Sequence, residues 1–257
     1  MCIRDSLSGA LSEIGLRIAS PIDIDNGKHF DVNDKRVQQV ILMWIRTSKL
    51  WHVHLATPCS RWSKARTTGA ATENGLAAAA FTVRVILACR RAGVTFSLEN
   101  PAGSALWSWA PLRRALRRVR AGTVLLDQCQ YGTPYKKPTR FDTNAASLGV
   151  LAASCTCSRH KEILQGLVKD PSTSKWRWKT ALAARYPPRL CRSYAVAIGS
   201  MAPSGAWRSR DEPQVLARWG RALAAAVGAP ATARPVAPSL PARVVLPWRR
   251  GERAANS

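Results

Sequence analysis

Two short segments carry residue types that nucleophilic catalysis uses. They are Pro58-Cys59-Ser60-Arg61-Trp62-Ser63 and Glu99-Asn100-Pro101. A cysteine adds to an electron-poor carbon as the thiolate, once its pKa is lowered or its proton is taken during the attack. A carboxyl group close to the same substrate can share a proton with it. A pocket that contains both segments would therefore hold a nucleophile and an acid.

Each segment follows an apolar run that is typical of a buried strand. The runs cover residues 51–57 and 94–98, and Pro58 ends the first of them. The Ala-rich residues 73–92 between them predict a long helix. A strand–helix–strand order favours a parallel sheet, and the carboxyl ends of parallel strands line the ligand crevice. We therefore expect the two segments to face one pocket.

The rest of the domain alternates helices and strands in the same way. Helices are predicted over residues 7–18, 37–47 and 111–120, strands over 21–24 and 123–126, a loop over 127–141, and a helix or a strand over 186–198. Asn33 and Asp34 are both suitable N-caps for the second helix. This alternation predicts an α/β fold with a mostly parallel, doubly wound sheet over residues 7–200.

The charge of the chain is strongly basic and unevenly distributed. The 257 residues carry a formal net charge of +24, while residues 1–57 hold seven Lys and Arg against six Asp and Glu. Nearly all of the basic excess therefore follows residue 57. Such an excess favours a polyanionic partner, most commonly nucleic acid. No apolar run reaches the roughly 18–20 residues that span a bilayer, so we expect no membrane partner.

The cysteines indicate a reducing compartment. There are seven, an odd number in a chain that is not short, which argues against a disulfide framework. No apolar segment typical of a signal peptide follows Met1. We therefore predict an intracellular protein, in the nucleus or the cytoplasm according to where its nucleic acid is.

The ends of the chain differ in composition from the part between them. Residues 1–6 are interpreted as a non-native leader, translated from a sequencing adaptor. Residues 144–185 are interpreted as a short insertion in the α/β domain. Beyond residue 200 the chain is rich in Ala, Pro and Arg, with five prolines between Pro230 and Pro247. This composition predicts a disordered tail over residues 201–257.

Together the two segments resemble the catalytic core of the DNA (cytosine-5) methyltransferases. Cys59 matches the nucleophile of the family's Pro-Cys motif, Glu99 the glutamate that contacts the cytosine ring, and Asn100 the asparagine that braces the loop. The resemblance implies a Rossmann-like, class I methyltransferase fold that binds S-adenosylmethionine. It also implies transfer of a methyl group to carbon 5 of cytosine in DNA through a covalent Cys59 adduct.

The resemblance further implies residues for the cofactor and for the DNA. Asp23 falls where the family holds the ribose of S-adenosylmethionine, and Asp31 resembles the next acidic position, near the adenine. The other implied cofactor residues are Gly9 and Pro58. Tyr131-Gly132-Thr133-Pro134 resembles the lead-in to the family's Gln-x-Arg-x-Arg motif. The residues implied to contact the substrate or the DNA are Ser63, Asn100, Lys136, Lys137 and Arg140.

Departures from the family pattern keep a second function open. The family's Phe-x-Gly-x-Gly cofactor loop is reduced here to Ser8-Gly9-Ala10. Glycines in that loop let the backbone approach the cofactor closely. Their loss favours a catalytically degenerate, nucleic-acid-binding module that retains the methyltransferase fold.

A third hypothesis is a small zinc-dependent binding protein. No catalytic metal is predicted, but the segment from Cys155 to His160 contains possible zinc ligands, with Cys157 and His160 as the favoured pair. Cys129 or Cys191 would complete a set of four. The alternative is a turn with one buried cysteine and an exposed histidine.

Overall fold

The computed structural model describes residues 7–19, 21–23, 30–59, 62, 73–169 and 174–207. The interpreted leader, the predicted DNA contact Ser63 and most of the predicted tail lie outside the described residues. No helix within the described ranges is both long and apolar enough to cross a membrane.

The second, third and fourth helices follow the sequence pattern closely. Those in the described ranges are α1 (Leu7–Glu13), α2 (Lys35–Arg46), α3 (Glu73–Ala92), α4 (Ala110–Arg118), α5 (Lys179–Leu182) and α6 (Pro188–Gly199). Asp34 is the N-cap of α2, because its side chain accepts the backbone N–H of Arg36 at 2.7 Å. α3 has the predicted bounds, and the ambiguous residues 186–198 form a helix.

Four strands form the main sheet in the order β1, β2, β4, β3. They are β1 (His52–Ala56), β2 (Thr95–Pro101), β3 (Gly122–Asp127) and β4 (Pro138–Thr143). β1 and β2 are parallel, with Val53 opposite Phe96, whereas β4 is antiparallel to both of its neighbours. A separate hairpin pairs β5 (Leu167–Lys169) with β6 (Trp176–Trp178). The fold is therefore mixed α/β with a mixed sheet.

β4 lies within the residues that the sequence pattern predicted to be a loop. Phe141 is its one large apolar side chain, so the period-2 pattern of a strand is weak. The polar residues on either side of Phe141 interact with each other, since Arg140 Nε lies 2.7 Å from Asp142 Oδ1. Because β4 inserts antiparallel between β2 and β3, one of the three pairings in this sheet is parallel. The prediction of a mostly parallel sheet is wrong for the described residues.

Apolar side chains are buried on both faces of the sheet. Phe96 and Leu98 of β2 are fully buried in a cluster with residues of α2, α3 and α4. On the opposite face, Phe141 of β4 is fully buried with residues of α1 and α6. Each such side chain stabilises the fold by about 1.5–3 kcal/mol. Helices on both faces match the predicted layering, although the strand directions do not.

The first and last described segments meet on the α1–α6 side. Leu16 and Trp207 form an antiparallel bridge, and the backbone N–H of Arg17 donates to the carbonyl oxygen of Ala206 at 2.7 Å. The predicted helix over residues 7–18 therefore ends early, at Glu13, and is followed by extended chain. Residues 21–23 do not form the strand predicted to begin there.

Candidate active site

The parallel pairing of β1 and β2 brings the two chemistry-bearing segments together. Ala56 at the end of β1 lies opposite Glu99. Asn100 is 1% exposed and donates its Nδ2 hydrogen to the carbonyl oxygen of Thr57 at 2.7 Å. The backbone N–H of Trp62 donates to the carbonyl oxygen of Cys59 at 2.9 Å. The turn that carries Cys59 is thus tied to the neighbouring strand by the side chain of Asn100.

Glu99 is buried on the α6 side of the sheet. Its Oε2 accepts a hydrogen bond of 3.0 Å from the hydroxyl of Tyr186. Burial raises the pKa of the Glu99 carboxyl group, while the charge of Lys137 and the hydrogen bond from Tyr186 oppose that rise. A carboxyl group with a raised pKa holds its proton at higher pH and can donate it to a substrate.

Lys137 places a positive charge close to Glu99 and Cys59. Burial lowers the pKa of its amine, and the charges of Glu99 and Cys59 oppose that effect. Its Nζ donates to the carbonyl oxygen of Ala183 at 2.7 Å, which fixes the ammonium beside the site. The implied role of Lys137 in contacting the DNA backbone therefore competes with its interactions inside the protein.

Cys59 is exposed, as a nucleophile must be. Desolvation by the surrounding protein raises the pKa of its thiol, and the charge of Glu99 raises it further. The charge of Lys137 and a backbone hydrogen bond lower it. The thiol therefore keeps its proton at neutral pH, and attack on a substrate requires that proton to be removed at the same time.

A network of hydrogen-bonded polar side chains extends from Glu99 along the face of the sheet that packs against α6. Tyr186 lies 3.3 Å from His54 Nε2, and His54 Nδ1 lies 2.9 Å from Ser97 Oγ. Ser97 Oγ lies 2.7 Å from the hydroxyl of Tyr194, which lies 2.7 Å from His52 Nε2. Burial lowers the pKa of His54 to about 4, and burial together with the charge of His54 lowers the pKa of His52 to about 3. Both imidazoles are therefore neutral at pH 7.

The sequence analysis missed this network. The signal available was the alternation of His52 and His54 in an apolar run, which places both on one face of β1. Their partners lie far along the chain, because Tyr186 is 132 residues from His54. Sequence spacing alone does not reveal such a contact.

The implied cofactor residues do not form a common cradle in the described part of the chain. Gly9 lies inside α1 and is buried against the α6 side, not in a strand-to-helix turn. Asp23 is exposed, and the Oδ1 of Asp31 accepts the backbone N–H of Asn33 at 2.8 Å in a local turn. Pro58 is exposed beside Cys59. Among the described residues, no strand pairs with the outer edge of β1. These positions do not fit the S-adenosylmethionine site that the resemblance implies.

The implied DNA contacts differ in how available they are. The side chain of Lys136 is 50% exposed and lies 3.8 Å from Asp127. The guanidinium of Arg140 forms two hydrogen bonds with Asp142, at 2.7 and 2.8 Å, and lies 4.4 Å from the centroid of the Trp107 ring. Arg140 is therefore held within the protein, and Lys136 is the more accessible cation.

α4 presents further cations in a row. Leu112, Ala115 and Leu116 are buried in the cluster that α4 shares with α3, and the opposite face of this helix is exposed. The exposed side chains on and just after α4 are Arg113, Arg114, Arg117, Arg118 and Arg120. This arrangement gives the molecule a basic ridge, the kind of surface that phosphate groups neutralise.

Cys157 and His160 lie together with Cys129 and Cys155, away from the Cys59 segment in the sequence. Cys191 does not join them, because it is buried on α6 with its Sγ 3.9 Å from the carbonyl oxygen of Tyr186.

The chain matches no family model, and neither the curated proteins nor the solved structures contain a match to it.

Proposed function

We propose that the chain acts on cytosine in DNA through a covalent adduct, as the DNA (cytosine-5) methyltransferases do. Cys59 is the nucleophile and Glu99 is the acid that contacts the ring. The observation that carries this proposal is that an exposed cysteine follows β1 and a buried carboxyl group of raised pKa lies near the carboxyl end of the neighbouring parallel strand β2. In that family, such an adduct serves methyl transfer from S-adenosylmethionine to carbon 5.

The covalent step uses Cys59, Glu99 and water. Sγ of Cys59 bonds to carbon 6 of cytosine as the thiol proton leaves to water. The electron pair of the carbon 5–carbon 6 double bond forms a double bond between carbon 4 and carbon 5. The electron pair of the former carbon 4–N3 double bond moves onto N3, which takes the proton of Glu99. Carbon 5 is then nucleophilic and bonds to a proton taken from water. Loss of the original carbon 5 hydrogen to water as a proton re-forms the carbon 5–carbon 6 double bond and expels the thiolate, which takes a proton from water, and the proton on N3 returns to Glu99.

The target base has to leave the duplex stack before Cys59 reaches it. A positively charged surface favours the approach of the DNA backbone. The arginines of α4 and the exposed Lys136 supply such a surface. S-adenosylmethionine enters no step here, because the described residues do not form its cradle.

A second candidate is a nucleic-acid-binding module without catalysis. Two observations favour it: Gly9 lies within α1, and the pKa of the Cys59 thiol is raised. Such a module binds DNA through its basic surface and leaves cytosine unchanged.

Exchange of the hydrogen on carbon 5 tests the covalent step without a methyl donor. Addition at carbon 6 makes carbon 5 basic, so tritium placed there is lost to water when the adduct reverses. We expect the full chain to release tritium from duplex DNA labelled at carbon 5 of cytosine. Cys59→Ser should abolish the release, and Glu99→Gln should reduce it at least tenfold, a loss of about 1.4 kcal/mol in transition-state stabilisation. DNA labelled in the thymine methyl group is the matched control.

The remaining outcomes separate the two candidates. DNA binding without tritium release from the wild-type chain would establish the binding module and refute the enzyme. Release that persists in Cys59→Ser would refute the assigned nucleophile. Incorporation of labelled methyl from S-adenosylmethionine, measured beside the exchange, reports separately on the methyl donor.

A further inference from the structure

Three cysteines and one histidine from two separate segments converge on one point. Their ligand atoms, one each from Cys129, Cys155, Cys157 and His160, all lie within 4.8 Å of one another. Cys155 Sγ lies 3.4 Å from His160 Nε2. None of these residues takes part in the proposed reaction at Cys59.

Two backbone features bring the segments together. Cys129 lies in a short 3-10 helix, Gln128–Tyr131, directly after β3. The second segment runs beside β3, where the backbone N–H of Asp127 donates to the carbonyl oxygen of Ala153 at 2.8 Å. The backbone N–H of Cys155 then donates to Asp127 Oδ2 at 2.9 Å. The cluster is therefore positioned by the sheet and not by loop contacts alone.

The separations are close to those of a tetrahedral metal site. Zinc binds sulfur at about 2.3 Å and imidazole nitrogen at about 2.0 Å, which places neighbouring ligand atoms about 3.5–3.8 Å apart. The upper limit of 4.8 Å among the observed ligand atoms exceeds that spacing by about 1 Å. Three thiolates with one imidazole suit a soft, tetrahedral ion and not Mg²⁺ or Ca²⁺, which take oxygen ligands.

A neighbouring amide supports the sulfur ligands. Gln130 Nε2 lies 3.7 Å from Cys157 Sγ and 3.9 Å from Cys129 Sγ. Its oxygen accepts from the hydroxyl of Thr156 at 3.4 Å. Hydrogen-bond donors directed at metal-bound thiolates are a usual feature of the shell around such ligands.

We propose that Cys129, Cys155, Cys157 and His160 bind one Zn²⁺ in a closed structural site. With four protein ligands, the ion has no open position for a substrate. It ties residues 155–162 to residues 128–135, which also meet through the backbone N–H of Glu162 and the carbonyl oxygen of Pro134 at 3.0 Å. The ion thereby fixes the loop that leads to Lys136 and Lys137.

The zinc content of the purified full chain tests this proposal. After dialysis against buffer without metal, we expect one zinc per chain by inductively coupled plasma mass spectrometry. Cys157→Ser and His160→Gln should each lower that content severalfold, because three ligands bind zinc far more weakly than four. Cys191→Ser is the matched control, since this buried cysteine lies outside the cluster, and it should retain the zinc.

Cobalt substitution gives a readout that does not need the variants to fold. Co²⁺ in the wild-type chain should show the intense visible bands of a tetrahedral ion and a thiolate-to-cobalt charge-transfer band. A chain without zinc that also gives no such spectrum would overturn the proposal. So would zinc retained in both Cys157→Ser and His160→Gln, or a disulfide among these cysteines in reducing buffer. Because Cys59 and Glu99 are not ligands, failure here leaves the proposed reaction unaffected.

Discussion

At Cys59 the charges of two neighbours act in opposite directions. Glu99 raises the pKa of the thiol and Lys137 lowers it. Lys137 lowers the pKa of Glu99 as well. One buried ammonium thus favours both the thiolate and the carboxylate, so removing it makes the nucleophile weaker and the acid harder to ionise.

Replacement of Lys137 should therefore slow reactions of the Cys59 thiol. In Lys137→Gln the positive charge beside Cys59 is lost, so its pKa rises and the thiolate fraction at neutral pH falls. We expect the rate of Cys59 alkylation by iodoacetamide, followed by peptide mass spectrometry, to fall severalfold. Lys136→Gln removes a charge from an exposed neighbour and is the matched control. An equal decrease in both variants would contradict the role of Lys137.

The residues of the site were predictable to different degrees. The segments that carry Cys59, Glu99 and Asn100 meet as expected, because Cys59 follows β1, Glu99 and Asn100 lie in the last three residues of β2, and the two strands are neighbours in a parallel pair. Tyr186 was missed because its contact with Glu99 spans 87 residues and depends on how the chain before α6 packs. The local sequence pattern predicts where strands end and turns begin, but it does not predict contacts between segments that are distant in the sequence.

Among the elements, β1 is the strand whose side chains are least typical. His52 and His54 face the buried tyrosines of the α6 side, and both accept or donate hydrogen bonds there as neutral imidazoles. A histidine that stays neutral when buried lowers the free energy of unfolding at any pH where the same histidine binds a proton in the unfolded chain. The strand therefore makes the fold sensitive to acid.

Stability should fall as the pH is lowered below about 6.5, the pKa of histidine in an unfolded chain. The folded-state pKa values are about 3 for His52 and about 4 for His54, so the unfolded chain binds more protons between those values and 6.5. The free energy of unfolding should decrease by about 2 kcal/mol per histidine between pH 7 and pH 5. Urea unfolding at the two pH values measures the loss.

A variant with His52→Gln and His54→Gln provides the comparison. It should be less stable than wild type at pH 7, because hydrogen bonds to Tyr194 and Tyr186 are changed, yet its stability should vary less with pH. The same dependence on pH in the variant and the wild type would assign the acid sensitivity to other groups.

The strands also show where sequence patterns fail at this scale. β1, β2 and β3 were predicted because they contain apolar runs, and their bounds differ from the expectation by a few residues. β4 was not, since Phe141 is its one large apolar side chain and its threonines are buried through pairing on both sides. The predicted mostly parallel pairing was therefore wrong, although the strands on either side of β4 were predicted.

For the whole molecule, the excess of positive charge is the property that the sequence made most evident. The structure concentrates part of it on the exposed face of α4, which the apolar pattern of that helix had implied. Arg140, by contrast, is neutralised by Asp142. Net charge alone did not distinguish these two cases, because partners within the fold determine which cations face solvent.

Substitution of the α4 arginines should weaken DNA binding and its dependence on salt. With Arg113, Arg114, Arg117 and Arg118 changed to Gln, the slope of log K against log salt should become smaller by about 0.9 for each lost phosphate contact. Fluorescence anisotropy with a labelled duplex at several salt concentrations measures this slope. Arg36→Gln, Arg46→Gln, Arg90→Gln and Arg91→Gln together form a control of equal charge on α2 and α3. An equal change in the control would indicate that total charge matters and the position of the arginines does not.

The bridge between Leu16 and Trp207 has a consequence for the order in which the chain folds. α1 packs mainly against α6, so one half of the core requires residues from opposite ends of the described chain. During synthesis the α2–α3–α4 half can collapse early. α1 leaves the ribosome first but cannot pack against α6 until α6 has also emerged. Contacts of such long sequence separation slow folding and leave apolar surface exposed in the meantime. The nascent chain should therefore expose this apolar surface until α6 is released.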